Sequence, residues 1–105
     1  GEAGLKFEAA KRIYAERAGT SPDHAPTQLA LGKFHLQDRD LASAAAAFEA
    51  SLKLDPDQKD AIYFRAITRL GQGRIEEARR LLEEMDPKSD FYTSARALLQ
   101  TLPKQ

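Results

Sequence analysis

Cysteine, tryptophan, valine and asparagine are absent from the 105 residues of this chain, and methionine occurs once. The lack of cysteine rules out disulfides, thiolate metal sites and cysteine nucleophiles, and the lack of asparagine rules out N-glycosylation sequons. With no valine and 4 isoleucines against 18 alanines and 13 leucines, the aliphatic content comes from helix formers and not from the β-branched residues that suit a pleated sheet. Neither sign of charge is in excess: 16 basic side chains are matched by 16 acidic ones, so nothing steers the chain toward nucleic acid or an anionic membrane surface. The longest apolar run, Ala44 to Phe48, is far short of the ~20 residues of a membrane span, and the first residues lack the basic-then-apolar layout of a signal peptide. The segment is expected to be all-α and soluble, without membrane insertion, and a signal removed from a longer protein stays compatible with it.

The length holds one domain and one core, too little for an enzyme with a cleft between two domains. Hydrophobic residues at 42 % and charged residues at 30 % are the composition of a folded chain and not a disordered one. Slid against itself by 34 residues, the chain places Phe7 over Leu41 and Ile75, Ala10 over Ala44 and Ala78, Tyr14 over Phe48 and Leu82, and Pro22 over Pro56. Such a period marks a solenoid, in which each unit buries its apolar face against its neighbours. Within the units the spacing is helical. Leu41, Ala44, Phe48 and Leu52 form one stripe, and Ile75, Ala78, Leu82 and Met85 form another. The small residues at Ala44 and Ala78 permit a close helix crossing, and Gly32 does the same on the preceding helix. A leucine at Ala44 or Ala78 is therefore expected to overpack the crossing, at a cost on the order of 1–3 kcal/mol.

The period, together with Leu31-Gly32, Ala44, Phe48, Leu54-Asp55-Pro56, Ala66, Gly73-Arg74-Ile75-Glu76-Glu77-Ala78 and Leu82, resembles the tetratricopeptide repeat (TPR) family. The resemblance implies an α-α superhelix, or solenoid, of antiparallel helix pairs, with about six helices over roughly 4–18, 25–37, 40–53, 59–71, 74–85 and 90–101. It divides residues 1–105 into the second helix of a truncated repeat (1–24), a full repeat (25–58), a full repeat with a shortened second helix (59–89) and a C-terminal capping helix (90–105). The shortening follows from Pro87, three residues early relative to Pro56. Arg65 and Arg69 stand where the family usually has apolar or aromatic residues. Their stems can pack while the guanidinium groups reach water, and a bound anion is the alternative use of the pair.

Catalytic chemistry finds little material. His24 and His35, the two imidazoles, fall in different elements, His24 in a loop and His35 at a half-buried packing position. No metalloprotease, phosphate-loop or dinucleotide motif is present, and Gly71-Gln72-Gly73 is a turn between helices. Glu76-Glu77, Arg79-Arg80 and Glu83-Glu84 alternate in sign at helical spacing, as on a solvated helix face. No cofactor or metal is implied.

The resemblance to TPR proteins implies binding of a peptide or partner helix on the concave surface lined by the first helices. Carried across, the groove positions are Leu29, Lys33 and Leu36 from the first full repeat and Tyr63, Phe64, Ile67 and Leu70 from the second. Leu36, Ile67 and Leu70 also fit packing between adjacent repeats. A chaperone-type carboxylate clamp is not matched, because of Leu29, Lys33, Phe64, Ser94 and Leu98 at its positions only Lys33 supplies a cation. The functional expectation is a non-enzymatic scaffold or adaptor with a protein or peptide partner. The alternatives are a self-associating or spacer segment, with homodimer contacts through an N-terminal helix exposing Phe7 and Tyr14, and a regulatory part of a larger enzyme. The Ala-, Leu- and Arg-rich style resembles bacterial TPR proteins of the cytoplasm or periplasm.

Overall fold

The computed structural model describes residues 2–103, which form six helices: α1 (Glu2–Thr20), α2 (Ala25–Gln37), α3 (Leu41–Leu54), α4 (Lys59–Gly71), α5 (Ile75–Glu83) and α6 (Tyr92–Thr101). No strand occurs among the described residues. Each helix packs chiefly on the one before and the one after it, with a further contact between α2 and α4. That neighbour-to-neighbour order is the packing of a repeat stack.

Local chemistry sets the breaks. His24, in extended backbone, precedes α2, with its Nδ1 2.6 Å from Thr27 Oγ1, and Pro26 occupies the first turn, where its missing N–H costs nothing. Asp40 caps α3 by accepting the Ser43 N–H at 3.2 Å. The two turns inside the helix pairs repeat each other. Arg39 (φ 64°) and Gly73 (φ 78°), separated by the same 34 residues, both take left-handed backbone, a conformation glycine adopts freely and arginine does not.

The small residues meet the crossings expected of them. Ala44, Phe48, Ala66, Ala78 and Leu82 are fully buried. At Gly32 a Cβ would lie 2.6 Å from Phe48 Cε1, so only glycine lets α2 and α3 approach this closely. A second cluster joins Ala66, Leu82, Met85 and Ala95, flanked by Ile62, Leu81 and Leu99, and anchors α6 to the α4–α5 pair.

The shortened helix is present, with 9 residues in α5 against 14 in α3. Met85 lies just past its end and stays buried, because the turn through Asp86 and Ser89 folds it under α6: Asp86 accepts the Lys88 N–H at 2.8 Å and Ser89 Oγ accepts the Phe91 N–H at 3.1 Å. Helix α6 accordingly begins at Tyr92 and not at 90.

Two expectations are corrected. Phe7 and Tyr14 are half-buried, because that face of α1 packs on Phe34 of α2, with both ring-centroid distances 5.4 Å. The large apolar residues that α1 leaves in water are instead Leu5 and Ile13. The guanidinium of Arg69 does not reach water either. It is buried between Glu49 of α3, at 2.5 Å, and Glu77 of α5, at 3.2 Å, and donates to Gln72 Oε1 at 2.8 Å. Arg65 joins the same carboxylates more loosely, at 3.7 and 3.9 Å. Two acidic residues from neighbouring helices thus neutralise the arginine pair, which removes the reason for a bound anion, and they take Glu77 off the solvated face assigned to it.

Candidate functional site

Helices α2 and α4, the first members of their pairs, carry all seven expected groove positions. Lys33 is exposed near the middle of α2, with Leu29 one turn before it and Leu36 one turn after, both half-buried. On α4, Tyr63 and Phe64 are half-buried, and so are Ile67 and Leu70, one and two turns beyond Tyr63. The structure brings Lys33, Tyr63 and Phe64 into one cluster, and Leu29, Leu36, Ile67 and Leu70 lie half-buried along the same two helices.

The geometry of the cluster is defined by aromatic stacking. Lys33 Nζ sits 4.8 Å from the centroid of the Phe64 ring, within range of a cation–π interaction. Phe64 stacks on the buried Phe48 at 5.9 Å and meets Tyr63 edge-on at 5.7 Å. Phe91, in the turn before α6, completes the group by stacking on Tyr63 at 4.7 Å and meeting Phe64 edge-on at 5.2 Å. Offset and edge-to-face arrangements at these distances are the favourable ones for aromatic quadrupoles. The result is a stiff, partly exposed platform of three rings, fixed from beneath by Phe48 and ultimately by Gly32.

Phe91 is the residue that sequence reasoning did not assign to this site. Its signal was the Phe91-Tyr92 pair at the head of the last helix, obscured because Pro87 breaks the 34-residue register just before it.

The charge of the cluster is simple. None of the ion pairs among the described residues includes Lys33, whereas Arg65, Arg69, Arg74, Arg79, Lys11 and Lys59 are each held by a carboxylate. An ammonium resting on an aromatic face, with its remaining N–H donors in solvent, can accept a carboxylate without breaking an existing ion pair.

Neither imidazole belongs to the platform. His24 is engaged at the start of α2, and His35 Nδ1 lies 3.9 Å from Asp40 at the far end of that helix. Among the described residues no three His, Asp or Glu side chains are placed to hold a metal ion, and no helix is long and apolar enough to cross a membrane. The arrangement offers contact area, rigidity and one cation, which are the elements of recognition.

Comparison with known proteins agrees with the repeat architecture. A family model described as tetratricopeptide repeat matches residues 35–102, and a second of the same description matches residues 2–59. A search of curated proteins gave no match. The two matches together span the helix pairs, their turns and both end helices, and the chain belongs to the tetratricopeptide repeat family.

Proposed function

We propose that this chain is a non-enzymatic interaction module that docks a peptide or helix from a partner protein in the groove between α2 and α4, as a scaffold or adaptor in a multiprotein complex. Tetratricopeptide repeats generally mediate protein–protein interaction and complex assembly and are typically non-catalytic. The observation that carries the proposal is the Tyr63–Phe64–Phe91 platform with Lys33 on its surface. Aromatic side chains lose little entropy on binding and supply most of the energy at interface hot spots. The platform suits an apolar or aromatic side chain of the partner, and Lys33 suits an acidic group adjacent to it.

The test is affinity capture with the wild-type chain and with a Lys33→Glu, Tyr63→Ala double variant whose circular dichroism shows that it folds. A partner retained by the wild type and lost by the variant supports groove docking. Retention of the same proteins by both sinks it.

A further inference from the structure

The aromatic platform is divided between the two complete helix pairs, α2–α3 and α4–α5. Lys33 and Phe48 belong to the first pair and Tyr63 and Phe64 to the second, which Phe91 follows in the turn before α6. The place of Lys33 over the Phe64 ring therefore depends on how the two pairs are set against each other. That setting is decided chiefly where α3 packs on α4.

Two consecutive residues of α3 reach across this junction. Phe48 stacks on Phe64 at 5.9 Å, and Glu49 meets Arg69 at 2.5 Å. Phe64 and Arg69 stand about 140° apart around the axis of a helix that turns roughly 100° per residue, and Thr68, fully buried, lies between them. Helix α4 is thus held on two flanks, by a ring on the groove side and by charge on the other.

The two contacts differ in stiffness. Stacked rings are favourable over centroid separations of about 4.5–7 Å, so Phe48 and Phe64 can slide and remain in contact. A guanidinium–carboxylate hydrogen bond holds only near its length of about 2.7–2.9 Å. The Arg69 guanidinium is itself fixed within the second pair, by Glu77 at 3.2 Å and by Gln72 Oε1 at 2.8 Å. Among the described residues, Glu49 is the acidic side chain of the first pair that forms an ion pair with the second. Arg65, 3.7 Å from Glu49, is too far for a hydrogen bond and does not duplicate the contact. Buried ion pairs are weak sources of net stability, and their best-attested use is to fix one register.

We propose that Glu49 and Arg69 are positioning residues for the groove: their ion pair sets the angle between the two helix pairs and so places Lys33 over the Phe64 ring. Without it the sliding ring stack sets that angle, the pairs roll about the stack, and Lys33 leaves the ring while each pair stays folded. The ammonium and the platform then no longer face a partner together. That consequence for binding rests on groove docking, whereas the displacement of Lys33 requires no partner.

Proton NMR of the chain without a partner tests it through the Lys33 Hε protons, which an aromatic ring beneath them shifts upfield of their value in the unfolded chain. The wild type is compared with Arg69→Met, Glu49→Ala and Arg79→Met, whose ion pair with Glu76 lies within α5, and circular dichroism confirms that each is folded. If Arg69→Met loses helix, Glu49→Ala, at the more exposed partner, carries the comparison. The expected result is an upfield shift in the wild type and in Arg79→Met that falls toward the unfolded value in the other two variants. Wild-type protons already at the unfolded value overturn the proposal. So does a wild-type shift retained in Arg69→Met or Glu49→Ala, which reduces the pair to a stabilising contact, and so does a shift lost equally in Arg79→Met, which reports general loosening. Groove docking is judged separately, by affinity capture, since Lys33 can rest on Phe64 whether or not a partner binds.

Discussion

Gly32→Ala probes the packing that supports the aromatic platform. A Cβ at position 32 would lie 2.6, 2.7 and 3.0 Å from three carbons of the Phe48 ring, whereas carbon atoms in favourable contact are about 3.5–4.0 Å apart. The ring must therefore yield by roughly 1 Å. Phe48 is fully buried and stacked on Phe64, so it moves only by disturbing the platform above it. Overpacking of this kind costs about 1–3 kcal/mol, while alanine in a helix interior gains about 1 kcal/mol over glycine, for a net loss of about 0–2 kcal/mol. Gly19→Ala on α1 separates the two effects, because a Cβ there meets nothing within 4 Å and only helix propensity acts. The two variants should differ by about 1–3 kcal/mol in urea denaturation followed by far-UV circular dichroism, with Gly32→Ala the less stable. Adding Phe48→Leu to Gly32→Ala should recover part of the loss, since the two sites share one contact. Equal midpoints for Gly32→Ala and Gly19→Ala would refute the assigned crossing.

Arg39→Gly should stabilise the chain by about 0.5–1 kcal/mol in the same assay, because glycine relieves the left-handed strain that Gly73 already avoids, less the added freedom of the unfolded chain. Arg69→Met, which keeps the packing stem and removes the charge held by Glu49 and Glu77, should cost about 1–2 kcal/mol. Arg65→Met should cost less, since its carboxylate distances are longer; the reverse order would contradict the geometry of the network. The Ser43 side chain and then its backbone N–H hold the Asp40 carboxyl below its ordinary pKa, and the Lys88 N–H and then Lys59 do the same for Asp86. A carboxyl with a depressed folded pKa contributes stability that is fully present above its unfolded value, near 3.9, and is lost as pH falls through the folded value. Stability should therefore drop below about pH 4, and Asp40→Asn, which keeps a capping acceptor, should flatten that slope.

The fold was legible because its determinants are local or periodic. A 34-residue recurrence of apolar and small residues at helical spacing specifies helix pairs whatever their partner, and Pro87 announced the shortened α5. Lys33, Tyr63 and Phe64 came from the resemblance to the repeat family, and the structure brings the three together. The missing parts depend on distance in sequence. Glu49 and Arg69 are 20 residues apart and meet only after α3 and α4 pack, so charge patterning along one helix could not pair them. Phe91 reaches Tyr63 and Phe64 through a turn whose length departs from the repeat. Phe7 and Tyr14 carry the repeated apolar pattern, but only the packed structure shows which side of α1 the following helix covers.

Groove docking requires that the Tyr63–Phe64–Phe91 platform and Lys33 receive a partner segment. Backbone-amide NMR, recorded while the segment recovered from a captured partner is titrated into the labelled chain, tests this most directly. The largest shifts should fall on Lys33, Tyr63 and Phe64 and reach Phe91, and they should vanish in the Lys33→Glu, Tyr63→Ala variant. Shifts centred elsewhere, or unchanged in that variant, would contradict it.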